Sequence, residues 1–127
     1  MTFNLLNALC LVLIFASGNN NNGTRTFKQK DFMGTWVRTE TTVESEGGCE
    51  GEEFVLTNTT ITQTTICDGI AGGSLENEYT FDGKDKLAYD FFGAPYHIVI
   101  AELTSTTLKI EWRYKDHSFG TSTYEKK

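Results

Sequence analysis

The chain has 127 residues, room for one domain and little more. Hydrophobic residues make up 39% and charged residues 22%, a balance that argues against general disorder. The formal net charge is −6, and the only local basic stretch is Arg25, Lys28 and Lys30, so a nucleic-acid partner is not expected.

The chain begins with an apolar run, Leu9-Cys10-Leu11-Val12-Leu13-Ile14-Phe15-Ala16, followed by Ser17 and Gly18. The run is shorter than the roughly 20 residues a membrane-spanning helix needs. It suits the apolar core of an export signal, with cleavage after Gly18. Residues 1–18 are therefore expected to be a signal peptide, and membrane association is expected only through this segment if it stays uncleaved. A buried element of the domain itself is the competing reading. Residues 19–30 open with Asn19-Asn20-Asn21-Asn22 and read as a polar tether. A short helix over 28–33 could cross one end of the domain that follows, 31–127. Asn22-Gly23-Thr24 and Asn58-Thr59-Thr60 match the glycosylation sequon, which matters only in a eukaryotic secretory pathway.

From Thr35 onward the pattern has period two. The clearest run is Leu108 to Tyr114, with Leu108, Ile110, Trp112 and Tyr114 on one face and Lys109, Glu111 and Arg113 on the other. One greasy side and one wet side mark an antiparallel sheet. Further strands are expected over 35–44, 53–57, 60–67, 76–81, 86–92, 96–103 and 118–124. The stretch 96–103 is nearly all apolar, so its phase is ambiguous: it is either buried on both faces or bulged. Turn chemistry separates the runs at Gly47-Gly48, Asn58-Thr59, Gly69 with Gly72-Gly73, Asp82-Gly83, Gly93-Ala94-Pro95, Thr104-Ser105 and Asp116-His117. About eight such strands joined by hairpins form an up-and-down antiparallel meander, which removes its free edges by closing into a small barrel.

Cys49 and Cys67 flank two of these strands and a turn near Asn58, which would bring the pair together as a disulfide in an exported domain. Two free thiols are the competing reading. Neither cysteine has a histidine at zinc-binding spacing, so no metal is expected.

The opening Asp31-Phe32-Met33-Gly34-Thr35-Trp36 carries a Gly-x-Trp at the start of the first strand. That motif resembles the first signature of lipocalins. Tyr79-Thr80-Phe81-Asp82-Gly83 and the later Ile100-Ala101-Glu102-Leu103-Thr104-Ser105-Thr106-Thr107-Leu108 add to a layout similar to short bacterial lipocalin-like domains. The resemblance covers about 31–124 and implies a calycin-type barrel. It also implies that Trp36 packs at the closed base beneath an arginine from the last strands, for which Arg113 is the candidate. Gly34 and Trp36 are then structural residues.

No nucleophile elbow, P-loop or dinucleotide fingerprint occurs, so no catalytic residue and no cofactor is expected. His97 and His117 have no third partner at a readable spacing and fit the surface or rim. Glu44, Glu46, Glu50, Glu52 and Glu53 cluster around Gly47-Gly48 and read as a solvated acidic loop. The aromatics leave two functions open. Phe54, Tyr79, Phe81, Tyr89, Phe91, Trp112 and Tyr114 would line a pocket for a small hydrophobic ligand in an exported binding protein. Alternatively they fill the barrel solidly, leaving an accessory or interaction protein of the cell envelope.

Overall fold

The computed structural model describes residues 25–44 and 49–127. Residues 1–18, expected to be a signal peptide, residues 19–24 of the expected tether, and the expected Gly47-Gly48 turn with Glu46 lie outside the described residues. A single helical turn, α1 (Gln29–Phe32), precedes eight strands: β1 (Gly34–Thr41), β2 (Gly51–Leu56), β3 (Thr60–Cys67), β4 (Ile70–Phe81), β5 (Lys86–Phe91), β6 (Ala94–Leu103), β7 (Thr107–Tyr114) and β8 (His117–Lys126). Each pairs antiparallel with the next, and β1 also pairs with β8, so the meander closes into a barrel. The all-β, up-and-down architecture follows from the alternation in the sequence. Among the described residues no helix is long and apolar enough to cross a membrane.

One end of the barrel is closed. Phe32 of α1 is fully buried there and meets Phe81 edge-on at 5.1 Å. Beneath it Trp36, Leu56, Ile61, Leu87, Ile98, Leu108 and Ile110 fill the interior. Tyr79 donates to the Thr57 carbonyl at 2.6 Å and accepts from Gln29 Nε2 at 2.8 Å, tying α1 to the turn between β2 and β3. A middle layer follows, where Phe54 stacks on Tyr124 at 5.1 Å and meets Trp112 at 6.0 Å.

Several boundaries differ from the expected ones. Residues 25–30 do not hang free as a tether. Phe27 packs against the core and its N–H donates to the Lys84 carbonyl at 2.9 Å, while Arg25 donates to the carbonyl of Ala101. The first strand ends at Thr41 rather than residue 44. Gly72-Gly73 is not a turn. The hairpin turns at Asp68-Gly69, both at positive φ, and the diglycine runs inside β4, where a bulge between Thr64 and Ile66 absorbs the register shift. Two other turns sit one or more residues earlier than expected, at Phe92-Gly93 and Lys115-Asp116, again with positive φ at Phe92, Gly93 and Lys115. Of the two alternatives for the apolar strand, the bulge is present, between Ile100 and Glu102.

The wall is unevenly bonded. β4 pairs with β3 from Thr60↔Glu78 to Cys67↔Ile70, but with β5 only across Tyr79↔Tyr89, Thr80↔Ala88 and Phe81↔Leu87. Above Tyr79 the two strands part.

Candidate functional site: a cup at the open end

Gly34 has φ +129, a conformation that L side chains rarely adopt. A Cβ there would stand 3.0 Å from Cε and Nζ of Lys126. The bare backbone lets Lys126 lie over Trp36, with Nζ 4.6 Å from the ring centroid, and donate to the Met33 carbonyl at 2.9 Å. Trp36 Nε1 donates to the Phe32 carbonyl at 2.9 Å. The cation over Trp36 is therefore Lys126, which corrects the expectation for Arg113. Arg113 follows Trp112 and so falls on the outer face. It pairs there with Glu111 at 3.0 Å and donates to the Asp116 carbonyl at 2.9 Å, at the other end of the barrel.

The disulfide joins Cys49 to Cys67, with Cα atoms 4.3 Å apart. It fastens the start of β2 to the end of β3 at the open end. Glu50 reinforces the link by accepting from the Asp68 N–H at 3.3 Å.

Above the Phe54 layer the barrel is hollow. A cavity of about 540 Å³ opens at this end, walled by Val43, Leu75, Tyr89, Phe91, Tyr96, Trp112 and Phe119. Val43 reaches over β8 because Gly120 offers no side chain; a Cβ there would meet Val43 Cγ2 at 2.5 Å. The cup rim carries exposed apolar side chains at Ile70, Phe92 and Phe119. Tyr96 organises the aromatic wall, stacking on Tyr89 at 6.1 Å and touching Phe91, Tyr114 and Phe119.

The floor is polar and internally paired. Arg38 Nη1 lies 3.6 Å from Glu52 Oε1, and Arg38 Nη2 donates to the Glu50 carbonyl at 3.1 Å. Gln63 Nε2 donates to Glu52 Oε2 at 2.7 Å, and the Tyr124 hydroxyl donates to Glu52 Oε1. Trp112 Nε1 donates to Ser122 Oγ at 2.9 Å, and Thr41 and Ser122 share a hydroxyl bond at 2.8 Å. Burial, with the neighbouring Glu52 charge, lifts the Tyr124 phenol well above its ordinary value. Burial also raises the Tyr89 phenol, with Glu52 and Tyr96 adding to the effect. Both rings stay protonated in any ordinary buffer.

The seven aromatics named from the sequence divide by height in the barrel. Tyr89, Phe91 and Trp112 line the cup. Phe54 lies beneath it, packed on Trp112. Tyr114 supports the wall through Tyr96 at 4.9 Å. Tyr79 and Phe81 belong to the closed end. The interior is filled at the base and hollow at the mouth, and only three of the seven aromatics line the hollow. Arg38, Glu52, Gln63 and Ser122 were not among the expected site residues, although each lies in phase with an apolar inward neighbour.

His97 is half-buried on β6, where desolvation and the nearby Lys86 and Arg113 lower its pKa. His117 is exposed at the start of β8. Glu52, expected in a solvated loop, is buried. Asn77 Nδ2 is buried without a hydrogen-bond partner among the described residues, beside the gap between β4 and β5. Among the described residues no group of three or more His, Cys, Asp or Glu could hold a metal ion.

No protein-family model matches the chain, and no curated protein is significantly similar to it in sequence.

Proposed function

We propose that this protein is an exported, lipocalin-like binding protein that holds one small hydrophobic molecule in the open end of its barrel. The observation that carries the reading is the cavity of about 540 Å³, with mainly apolar, aromatic walls and a paired polar floor. Natural small-molecule sites fall in the range of about 300–1,000 Å³ and share that division of labour. The apolar wall supplies affinity through burial, roughly 25 cal/mol per Å² removed from water. The paired floor supplies orientation. The disulfide supports maturation in an oxidising compartment, and the apolar start of the chain supports export.

Titration with the uncharged fluorophore N-phenyl-1-naphthylamine tests the binding reading. Saturable enhancement at one probe per chain is expected. No enhancement, or a linear unsaturable rise, overturns it. N-terminal sequencing of protein recovered from producing cells tests export: Asn19 is the expected first residue, and an intact Met1 overturns the cleavage.

A further inference from the structure

The floor of the cup carries one cation and one anion, held together. Arg38 and Glu52 are the charged side chains that line the cavity. Their side chains are only 13% and 10% exposed, and they are 3.6 Å apart. The other polar side chains that line the cavity are neutral: Gln63, Thr65, Ser74 and Ser122, with the Tyr89 and Tyr96 phenols. From this geometry we infer that the cup selects an uncharged amphiphile, whose polar head is an alcohol, amide or ketone, over a fatty carboxylate or an alkylammonium. The inference rests on the binding reading and names the chemical class that the site accepts.

The argument is one of compensation. A bound carboxylate would meet Arg38, but Arg38 is already balanced by Glu52. The new anion would lie against the Glu52 charge in a poorly hydrated site, where like charges repel strongly. A bound ammonium faces the mirror problem at Arg38. Neither ion brings a partner with it, and an unpaired charge in such a place is costly. A neutral head costs far less. An alcohol, amide or ketone oxygen can accept from the guanidinium without adding a charge to the floor.

Removing one member of the pair should therefore reverse the preference in a stated direction. In Glu52→Gln the Arg38 charge is uncompensated, and a carboxylate becomes the favoured head. Glutamine keeps an oxygen for the Tyr124 hydroxyl, and its new amide nitrogen is satisfied once Gln63 turns its amide to present the oxygen. In Arg38→Gln the Glu52 charge is uncompensated, and an ammonium becomes the favoured head.

The experiment is displacement of bound N-phenyl-1-naphthylamine by decanol, decanoate and decylammonium at neutral pH and low salt. In the wild type, decanol should displace the probe at concentrations lower by about tenfold or more than either ion. In Glu52→Gln, decanoate should gain at least about tenfold relative to decanol. Arg38→Gln should give the same gain for decylammonium. Equal displacement by all three in the wild type overturns the inference and leaves the binding reading standing. Failure of the probe to bind wild type removes the binding reading itself. If a variant does not fold, as its circular-dichroism spectrum would show, the wild-type ranking alone decides.

Discussion

Lys126 lies across the face of Trp36, its Nζ 4.6 Å from the ring centroid, because Gly34 leaves the space empty. A substitution of Gly34 by Ala has two costs. It forces a side chain into φ +129, and it drives a Cβ to within 3.0 Å of Lys126. Loss of about 1–3 kcal/mol is expected, measured by urea unfolding. The Lys126→Ala change alone should cost about 0.5–1 kcal/mol. In the double variant the Gly34→Ala penalty should shrink, because the clash is gone while the backbone strain stays.

The two tryptophans report on different halves of the barrel. Trp36 is sealed in the base, and Trp112 lines the cup. An apolar ligand should therefore change the fluorescence of Trp112 alone. The Trp36→Phe protein should keep the ligand-linked signal, and Trp112→Phe should lose it. By the same division, Tyr79→Phe should lower stability by about 0.5–1.5 kcal/mol and leave probe affinity unchanged. Among the described residues its hydroxyl bonds Thr57 and Gln29, both at the closed end.

Replacing both Cys49 and Cys67 by Ser should lower stability by about 3 kcal/mol in the chain-entropy picture, since the bridge spans 18 positions. The urea midpoint reads the loss. The circular-dichroism spectrum should remain that of a sheet, because β2 and β3 stay paired from Gly51↔Ile66 to Leu56↔Ile61.

Asp82 closes the turn between β4 and β5. Its Oδ1 accepts from the N–H groups of Lys84, Asp85 and Lys86. Burial works against its ionisation, but these backbone bonds and the Lys86 charge outweigh it, and the carboxyl titrates below its ordinary 3.8. A depressed folded value means that the stabilisation is present above the unfolded value and is lost as pH falls through the folded one. Wild type should therefore exceed Asp82→Asn in Tm at neutral pH. The gap should narrow below about pH 4. A gap that stays constant down to pH 2.5 would count against the assignment.

Phe92 occupies a left-handed position at φ 52 and is 84% exposed. An asparagine accepts that conformation more readily, so Phe92→Asn should raise stability by about 1 kcal/mol. Thermal unfolding checks it. The gain would identify the aromatic rim as retained despite its cost in stability.

What could be read from the sequence follows from how strictly each stretch alternates. Leu108 to Trp112 keeps strict alternation, and its phase survives unchanged into β7. The diglycine at 72–73 misleads because glycine serves both turns and open strand, and only the pairing with β3 decides between them. Arg113 misleads in another way. Its own alternation with Trp112 places it outside, while its place in one of the last strands makes it resemble the arginine expected over Trp36. The polar floor was within reach of the same rule: Arg38 is in step with Trp36, Glu52 with Phe54, Gln63 with Ile61, and Ser122 with Tyr124. Charged and hydroxyl side chains on a greasy face look like errors of phase until a hollow is there to receive them.

The sparse bonding between β4 and β5 has a mechanical corollary. Above Tyr79 the β3–β4 hairpin is held from one flank only, with the disulfide bracing its far edge. A load inside the vessel displaces its weakest stave first. Under the proposed binding function, an oversized guest would bear first on this hairpin, since the rest of the hoop is paired on both flanks.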